Sequence, residues 1–154
     1  MKKKLKSYSK KEVLQDLASY CAYQDRCLQE VFSKLNDYDL HESDKTWVTD
    51  QLISEQFIDE IRFARTYCRS KFYYKKWGKK KIVYALKGKG ISNKNIEEGL
   101  TEIKEVDYLN TLEELLKKKK NSLNDTEPFA LKKKLYAYAV SKGYEPSLVI
   151  SMID

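Results

Sequence analysis

The feature that most constrains this chain is a pattern that recurs within it. At an offset of 53 residues, "ALKGKGISNKNIEEGL" from Ala85 lines up with "YAVSKGYEPSLVISMI" from Tyr138. Ile82 then matches Leu135, Gly90 matches Gly143, Ile91 matches Tyr144, Ile96 matches Val149 and Leu100 matches Ile153. A fainter copy lies upstream, where Val31, Leu35 and Leu40 match Ile82, Leu86 and Ile91 at an offset of 51. That copy has no glycine equivalent to Gly90 and Gly143. Units of this length cannot bury their apolar faces alone, so they pack side by side. The expectation is an all-α fold, an elongated array of three tandem three-helix repeats at 10–60, 61–107 and 108–154, behind a basic N-terminal tail, 1–9.

Helical spacing supports each unit. Val13, Leu17, Tyr20 and Cys21 share one face behind Ser9, a candidate N-cap. Leu28, Val31, Phe32 and Leu35 share another, and Val48, Leu52 and Ile53 a third. Phe63, Tyr67, Ser70 and Tyr74 recur at four, three and four, which predicts a buried stripe that includes Tyr74. Ile82, Ala85 and Leu86 precede Gly88 and Gly90, residues that helix C-termini favour. Ser92 can cap a helix bearing Ile96, Leu100 and Ile103, and Pro128 and Pro146 suit first helical turns. Five Gly and two Pro are too few for the many turns of an all-β fold.

Charge is distributed unevenly. Between Ile61 and Ile96 stand twelve Lys or Arg and no Asp or Glu, which leaves 18 basic against 23 acidic residues elsewhere. A mildly acidic body with one strongly basic segment points to a polyanionic partner. The segment "FIDEIRFARTYCRSKFYYKKWGKKK" also interleaves aromatics with its cations.

Two stretches resemble a known family. "QFIDEIRFA", Gln56 to Ala64, is similar to the "GYLDDERFA" element of the RecX family of bacterial recombination regulators. "KKKIVYALKGKGI", Lys79 to Ile91, resembles that family's "I…LRxKGI" element, and the three-repeat layout covers nearly the whole chain. In this sequence Gln56 stands where the family has glycine. The resemblance implies a non-enzymatic, elongated, modular helical protein. It implies a partner, the RecA protein filament on DNA, in whose groove such proteins lie and whose recombinase, ATPase and coprotease activities they restrain.

The residues themselves describe a surface fit for such a partner. Arg62, Arg65, Arg69 and Lys76 fall on one side of a helix with Tyr73, next to the apolar stripe. Lys71 and Lys75 lie in the same segment, and Lys79, Lys80, Lys81, Lys87 and Lys89 carry the charge onto the next helix and its turn. Phosphate contacts by these side chains would release counterions and weaken with salt. Tyr73 and Trp77 are candidate platforms for unpaired bases. The partners expected from these side chains are single-stranded DNA and also double-stranded DNA, beside the RecA protein that the resemblance implies. Asp59 and Arg62, three apart at a helix start, are expected to cap and pair locally. Lys117 to Lys120 and Lys132 to Lys134, beside Glu113, Glu114 and Glu127, read as solvated helix faces. A DNA-reading helix-turn-helix over Leu86 to Leu100 is disfavoured, because Glu97, Glu98 and Glu102 would meet phosphates on its second helix.

Other classes lack the required residues. "GKGI" at Gly88 has no upstream glycine to form a phosphate loop, and one histidine with scattered serines gives no triad. Cys21, Cys27 and Cys68 form no CxxC pair and, with His41, no zinc spacing, so reduced, partly buried thiols are expected. "MKKKLK" is not followed by the apolar run of a secretory signal, and no stretch reaches membrane-spanning length. The sequence reading is a cytoplasmic, monomeric binding protein without a cofactor, metal or catalytic residue. Its rival is a general DNA-binding helical-repeat protein without a recombinase partner.

Overall fold

A computed structural model describes residues 6–124 and 127–154. Three groups of three helices follow one another: α1 (Lys10–Tyr23), α2 (Leu28–Leu35) and α3 (Glu42–Ser54); α4 (Glu60–Arg69), α5 (Lys79–Gly88) and α6 (Asn93–Leu100); α7 (Glu105–Ser122), α8 (Pro128–Ser141) and α9 (Pro146–Ile153). The fold is the expected all-α array of tandem three-helix repeats. Its start signals are where the sequence puts them. Ser9 closes a capping box with Glu12, Asp59 and Ser92 accept the N–H groups of Arg62 and Asn95, and Pro128 and Pro146 open α8 and α9. The first turns of α4 and α7 begin at Glu60 and Glu105, ahead of the unit boundaries placed at 61 and 108. Of the basic N-terminal stretch, residues 1–5 lie outside the described residues. Lys6 and Ser7 form a short strand, β1, paired in parallel with Tyr38 and Asp39 of β2.

The turn that follows each middle helix carries the repeat. After α5 and α8 the chain passes through Gly90 (φ 78°) and Gly143 (φ 100°), in the left-handed region where glycine has no steric penalty. Beyond each glycine an N–H returns to the helix, Ile91 to Leu86 O at 3.1 Å and Tyr144 to Ala139 O at 3.2 Å. In the first unit the equivalent position is Asp39, and the glycine turn is replaced by the β1–β2 pairing. The backbone groups that a glycine turn would satisfy locally are there met by a second strand.

Two separate cores hold the array. Val13, Leu17, Cys21, Val31, Leu35, Tyr38, Val48, Leu52 and Ile58 form that of the first unit. The second and third units share one continuous core, from Phe63, Cys68 and Phe72 through Ile82, Leu86 and Ile96 to Tyr108, Leu112, Tyr144 and Val149. Cys27, the N-cap of α2, is fully buried in this second core. It sits 51 residues before Gly78, the N-cap of α5, and Gly78 in turn lies against the third unit's turn. A Cβ on Gly78 would overlap the Gly143 carbonyl carbon and the Tyr144 nitrogen. The middle helices of the first and second units, α2 and α5, therefore dock their N-termini on the unit that follows.

One expectation fails between α4 and α5. The stripe Phe63, Tyr67, Ser70, Tyr74 does not stay buried, because Ser70–Tyr74 form a π-helical turn, with the Lys75 N–H reaching back to Ser70 O. Ala64 and Cys68 already share the inner face of α4 with Phe63, Phe72 continues it, and beyond the π turn Tyr74 is 84% exposed. Lys76 then reverses the chain at φ 61°.

Candidate nucleic-acid interface

The basic segment is free of acids only along the sequence. In space, α6 lies against α4 so closely that a Cβ on Gly99 would press on the Ala64 carbonyl. This crossing brings the carboxylates of Glu98 on α6 and Glu102 just beyond it to the α4 arginines. Arg65 meets Glu98 at 2.8 Å and Glu102 at 3.9 Å, and Arg69 meets Glu102 at 3.4 Å. Arg62 turns the other way. Its Nε donates to Asp25 at 3.0 Å and its terminal nitrogens donate to the carbonyls of Gln56 and Phe57. Asp59 does cap α4, yet the side-chain partner of Arg62 is Asp25, 37 residues away.

Further along, the cations split into two sets. Lys79 is 3.5 Å from Glu105 and lies over the Tyr108 ring, and Lys89 is 3.9 Å from Glu30. Lys71 and Lys89 line a cleft between the first and second units together with Asp25, Glu30 and Tyr67, so acids offset them there. Trp77 is partly buried, with Lys71 at 4.8 Å and Lys81 at 4.4 Å from its ring. Tyr73 is partly buried too. Its hydroxyl donates to Asp107 at 2.7 Å, and this bond raises its pKa above the usual tyrosine value. Both aromatics are thus partly engaged within the protein, Tyr73 through its hydroxyl and Trp77 by the two lysines beside its ring.

The remaining set is free. Among the described residues, Lys75, Lys76, Lys80 and Lys87 are exposed and have no ion pair. Lys81 is exposed beside them. Two tyrosines accompany them, Tyr74 at 84% and Tyr84 at 82% exposure. The sequence reading singled out neither as a surface group: regular spacing placed Tyr74 in the core, and Tyr84, though inside the Lys79–Ile91 motif, is not one of the positions that carry the resemblance. The spacing of Tyr84 from Lys80 and Lys87, four and three residues, was the available signal, since it puts all three on one helix face.

The second and third units fix α5 rigidly. Gly78 N–H donates to Lys142 O at 2.7 Å, Lys80 N–H to Gly143 O at 2.9 Å, and Lys79 N–H to the Tyr108 hydroxyl at 2.9 Å. That hydroxyl donates to Glu145 at 2.5 Å, and the Tyr144 hydroxyl donates to Lys76 O at 2.9 Å. Burial raises the pKa of both phenols, and the Glu145 carboxylate adds to the shift. They stay neutral hydrogen-bonding groups. Cys21, Cys27 and Cys68 are free and buried, and burial pushes the Cys68 thiol up to about 12. A thiol so raised is a poor nucleophile. No helix among the described residues is long and apolar enough to cross a membrane.

Comparison with known proteins matches this arrangement. Residues 59–100, which hold α4 to α6, match the family model described as "RecX, second three-helix domain". Residues 105–151, which hold α7 to α9, match "RecX, third three-helix domain". A protein described as regulatory protein RecX from Clostridium botulinum (strain Eklund 17B / Type B) is 32% identical over 127 residues, 81% of this chain and 59% of that protein. One of the same description from Clostridium tetani is 39% identical over 101 residues, 63% of this chain and 45% of that protein. The chain thus spans about half the length of these curated relatives. The crystal structure of RecX from Lactobacillus salivarius superposes with a TM-score of 0.85 at 23% identity, over 94% of each chain. A second RecX crystal structure gives 0.83 at 21% identity, over 93% of this chain and 72% of that one. At such identities the superpositions speak for the fold alone. The two domain models together cover more than half of the sequence and coincide with its second and third helical units, and on that ground the chain belongs to the RecX family.

Proposed function

We propose that this protein regulates a RecA recombinase filament on DNA, most simply by restraining its recombinase, ATPase and coprotease activities, and that it acts as a cytoplasmic monomer without catalysis. The observation that carries the reading is the match of two RecX domain models to α4–α9, supported by relatives described as regulatory proteins. The geometry refines the contact surface. Arg62 ties the second unit to the first and Arg65 and Arg69 are paired within the second unit, whereas Lys75, Lys76, Lys80, Lys81 and Lys87 lie open to an acidic partner. Phosphates are the natural counterpart of such a surface, and binding should fall steeply with salt.

The test is the DNA-dependent ATPase rate of the cognate RecA on single-stranded DNA, with this protein titrated from far below stoichiometry. Suppression by a small molar fraction is expected, because an agent that acts on a growing filament affects many subunits. Suppression only when DNA sites are saturated would mean competition for DNA, and the general DNA-binding reading would take its place. Reversing charge at Lys80 and Lys87 should weaken suppression while helicity by circular dichroism is unchanged.

A further inference from the structure

The face of α5 that carries free lysines also carries an aromatic ring with nothing on it. Tyr84 is 82% exposed and has no ring partner among the described residues. Lys80 precedes it by four residues and Lys87 follows it by three, so one cation lies a turn before the ring and one a turn after. At a rise of about 1.5 Å per residue these offsets are roughly 6 Å and 4.5 Å along the helix axis. Beside this face is a shallow groove of about 360 Å3, lined by Lys79, Lys80, Val83, Tyr84, Lys87 and Glu145. Its floor is largely apolar and its rim largely cationic. The backbone N–H groups at the start of α5 are already donated to Lys142, Tyr108 and Gly143, so an anion here is held by side chains alone.

We propose that this groove holds an unpaired nucleotide of a single-stranded nucleic acid, its base on the Tyr84 ring and its flanking phosphates on Lys80 and Lys87. A duplex keeps its base faces inside the stack and would use only the lysines, which leaves the exposed ring without a purpose. A single strand offers both chemistries, a π face to the tyrosine and a phosphate on either side. Glu145 also lines the groove, and its carboxylate disfavours a phosphate directly beside it. The inference rests on the reading of the α5 face as one that meets nucleic acid.

The experiment is fluorescence anisotropy of a fluorescein-labelled 15-residue oligothymidylate and of a labelled duplex of equal length, read with wild type, Tyr84→Ala, Tyr84→Phe and Lys80→Ala/Lys87→Ala. Tyr84 is exposed, so its variants should fold as the wild type does. Tyr84→Ala is expected to weaken the single strand about tenfold, within the range of one lost stacking contact, and to leave the duplex unchanged. Tyr84→Phe should restore the single strand, and the double lysine variant should weaken both probes and flatten the salt dependence. Equal loss on both probes, no loss with Tyr84→Ala, or no single-strand binding by the wild type overturns the proposal. The RecA titration separates the two readings. Single-strand binding that depends on Tyr84, with the ATPase rate untouched, sinks the regulatory reading and keeps this one. Suppression of the ATPase by a wild type that binds no single strand does the reverse.

Discussion

The two joints of the array differ in kind. The joint between the second and third units is close and combines a continuous apolar core with several hydrogen bonds. Gly78 meets Gly143 backbone to backbone, the aromatic rings of Phe72, Tyr108 and Tyr144 run through it, and one core spans both units. The joint between the first and second units has one fully buried contact, Cys27, and is otherwise built mainly of polar groups. Arg62 forks onto Asp25 and two carbonyls, Thr66 also donates to Asp25, and Lys89 faces Glu30. It also contains a cost. Glu60 lies beside the Leu28 N–H, which favours its charged form, while its Oε2 is buried without a hydrogen-bond partner. Apolar area holds units together without directional demands, and hydrogen bonds hold them only while every partner is in place. The second and third units should therefore unfold as one block, and the first unit should open from them at lower free energy.

The largest test of this contrast is Gly78→Ala. Its Cβ has no room against the Gly143–Tyr144 backbone, so the joint must open. A loss of about 3 kcal/mol is expected in urea unfolding followed by circular dichroism. A loss under half that would show that the joint yields easily and that the contrast is overdrawn.

Glu60→Gln addresses the polar joint and should act in the opposite direction. Burial raises the folded-state pKa of Glu60 above 4.5, so the folded chain holds this proton more tightly than the unfolded chain does. By the linkage sign, the group's contribution to stability is full below the unfolded value and falls as pH climbs above 4.5 through the raised one. Glutamine keeps an acceptor for Leu28 and carries no charge. At pH 7 the variant should be more stable than the wild type by on the order of 1 kcal/mol, and the gap should close as pH falls below 4.5. A gap that persists in acid would mean that the carboxylate charge is not the cause.

The smallest effect is expected at Gln56, which ends α3 at φ 62° where glycine is the favoured residue. Gln56→Gly should raise stability by roughly 0.5 kcal/mol, relief of strain exceeding the entropy lost by a freer unfolded chain. The gain should appear in the unfolding of the first unit, read by hydrogen exchange of α1–α3, and not in α7–α9. A uniform gain would argue that the two cores unfold together.

Much of the fold was legible in the sequence, because its signals are local. Ser9 with Glu12, Asp59, Ser92, the glycines at 90 and 143 and the two prolines each specify a helix end within four residues. The missing glycine before Phe57 was also legible, and the structure gives it meaning as a non-glycine residue in a left-handed turn. The π turn at Ser70–Tyr74 was not legible. A regular period and one widened turn look alike in sequence, and the choice between Phe72 and Tyr74 is made by the space that Tyr73, Tyr108 and Asp107 leave. The fate of the arginines was also hidden, since Glu98 and Asp25 lie 33 and 37 residues from Arg65 and Arg62.

By itself, then, the sequence determined the repeat, the helices and the family, since short-range spacing and capping act between neighbours along the chain. Which of its cations remain open to a partner was decided only by the tertiary structure. Pairing falls off with distance in space, and only the packing of α6 on α4 and of the first unit on the second brings the neutralising carboxylates to the arginines, leaving the lysines of α5 exposed.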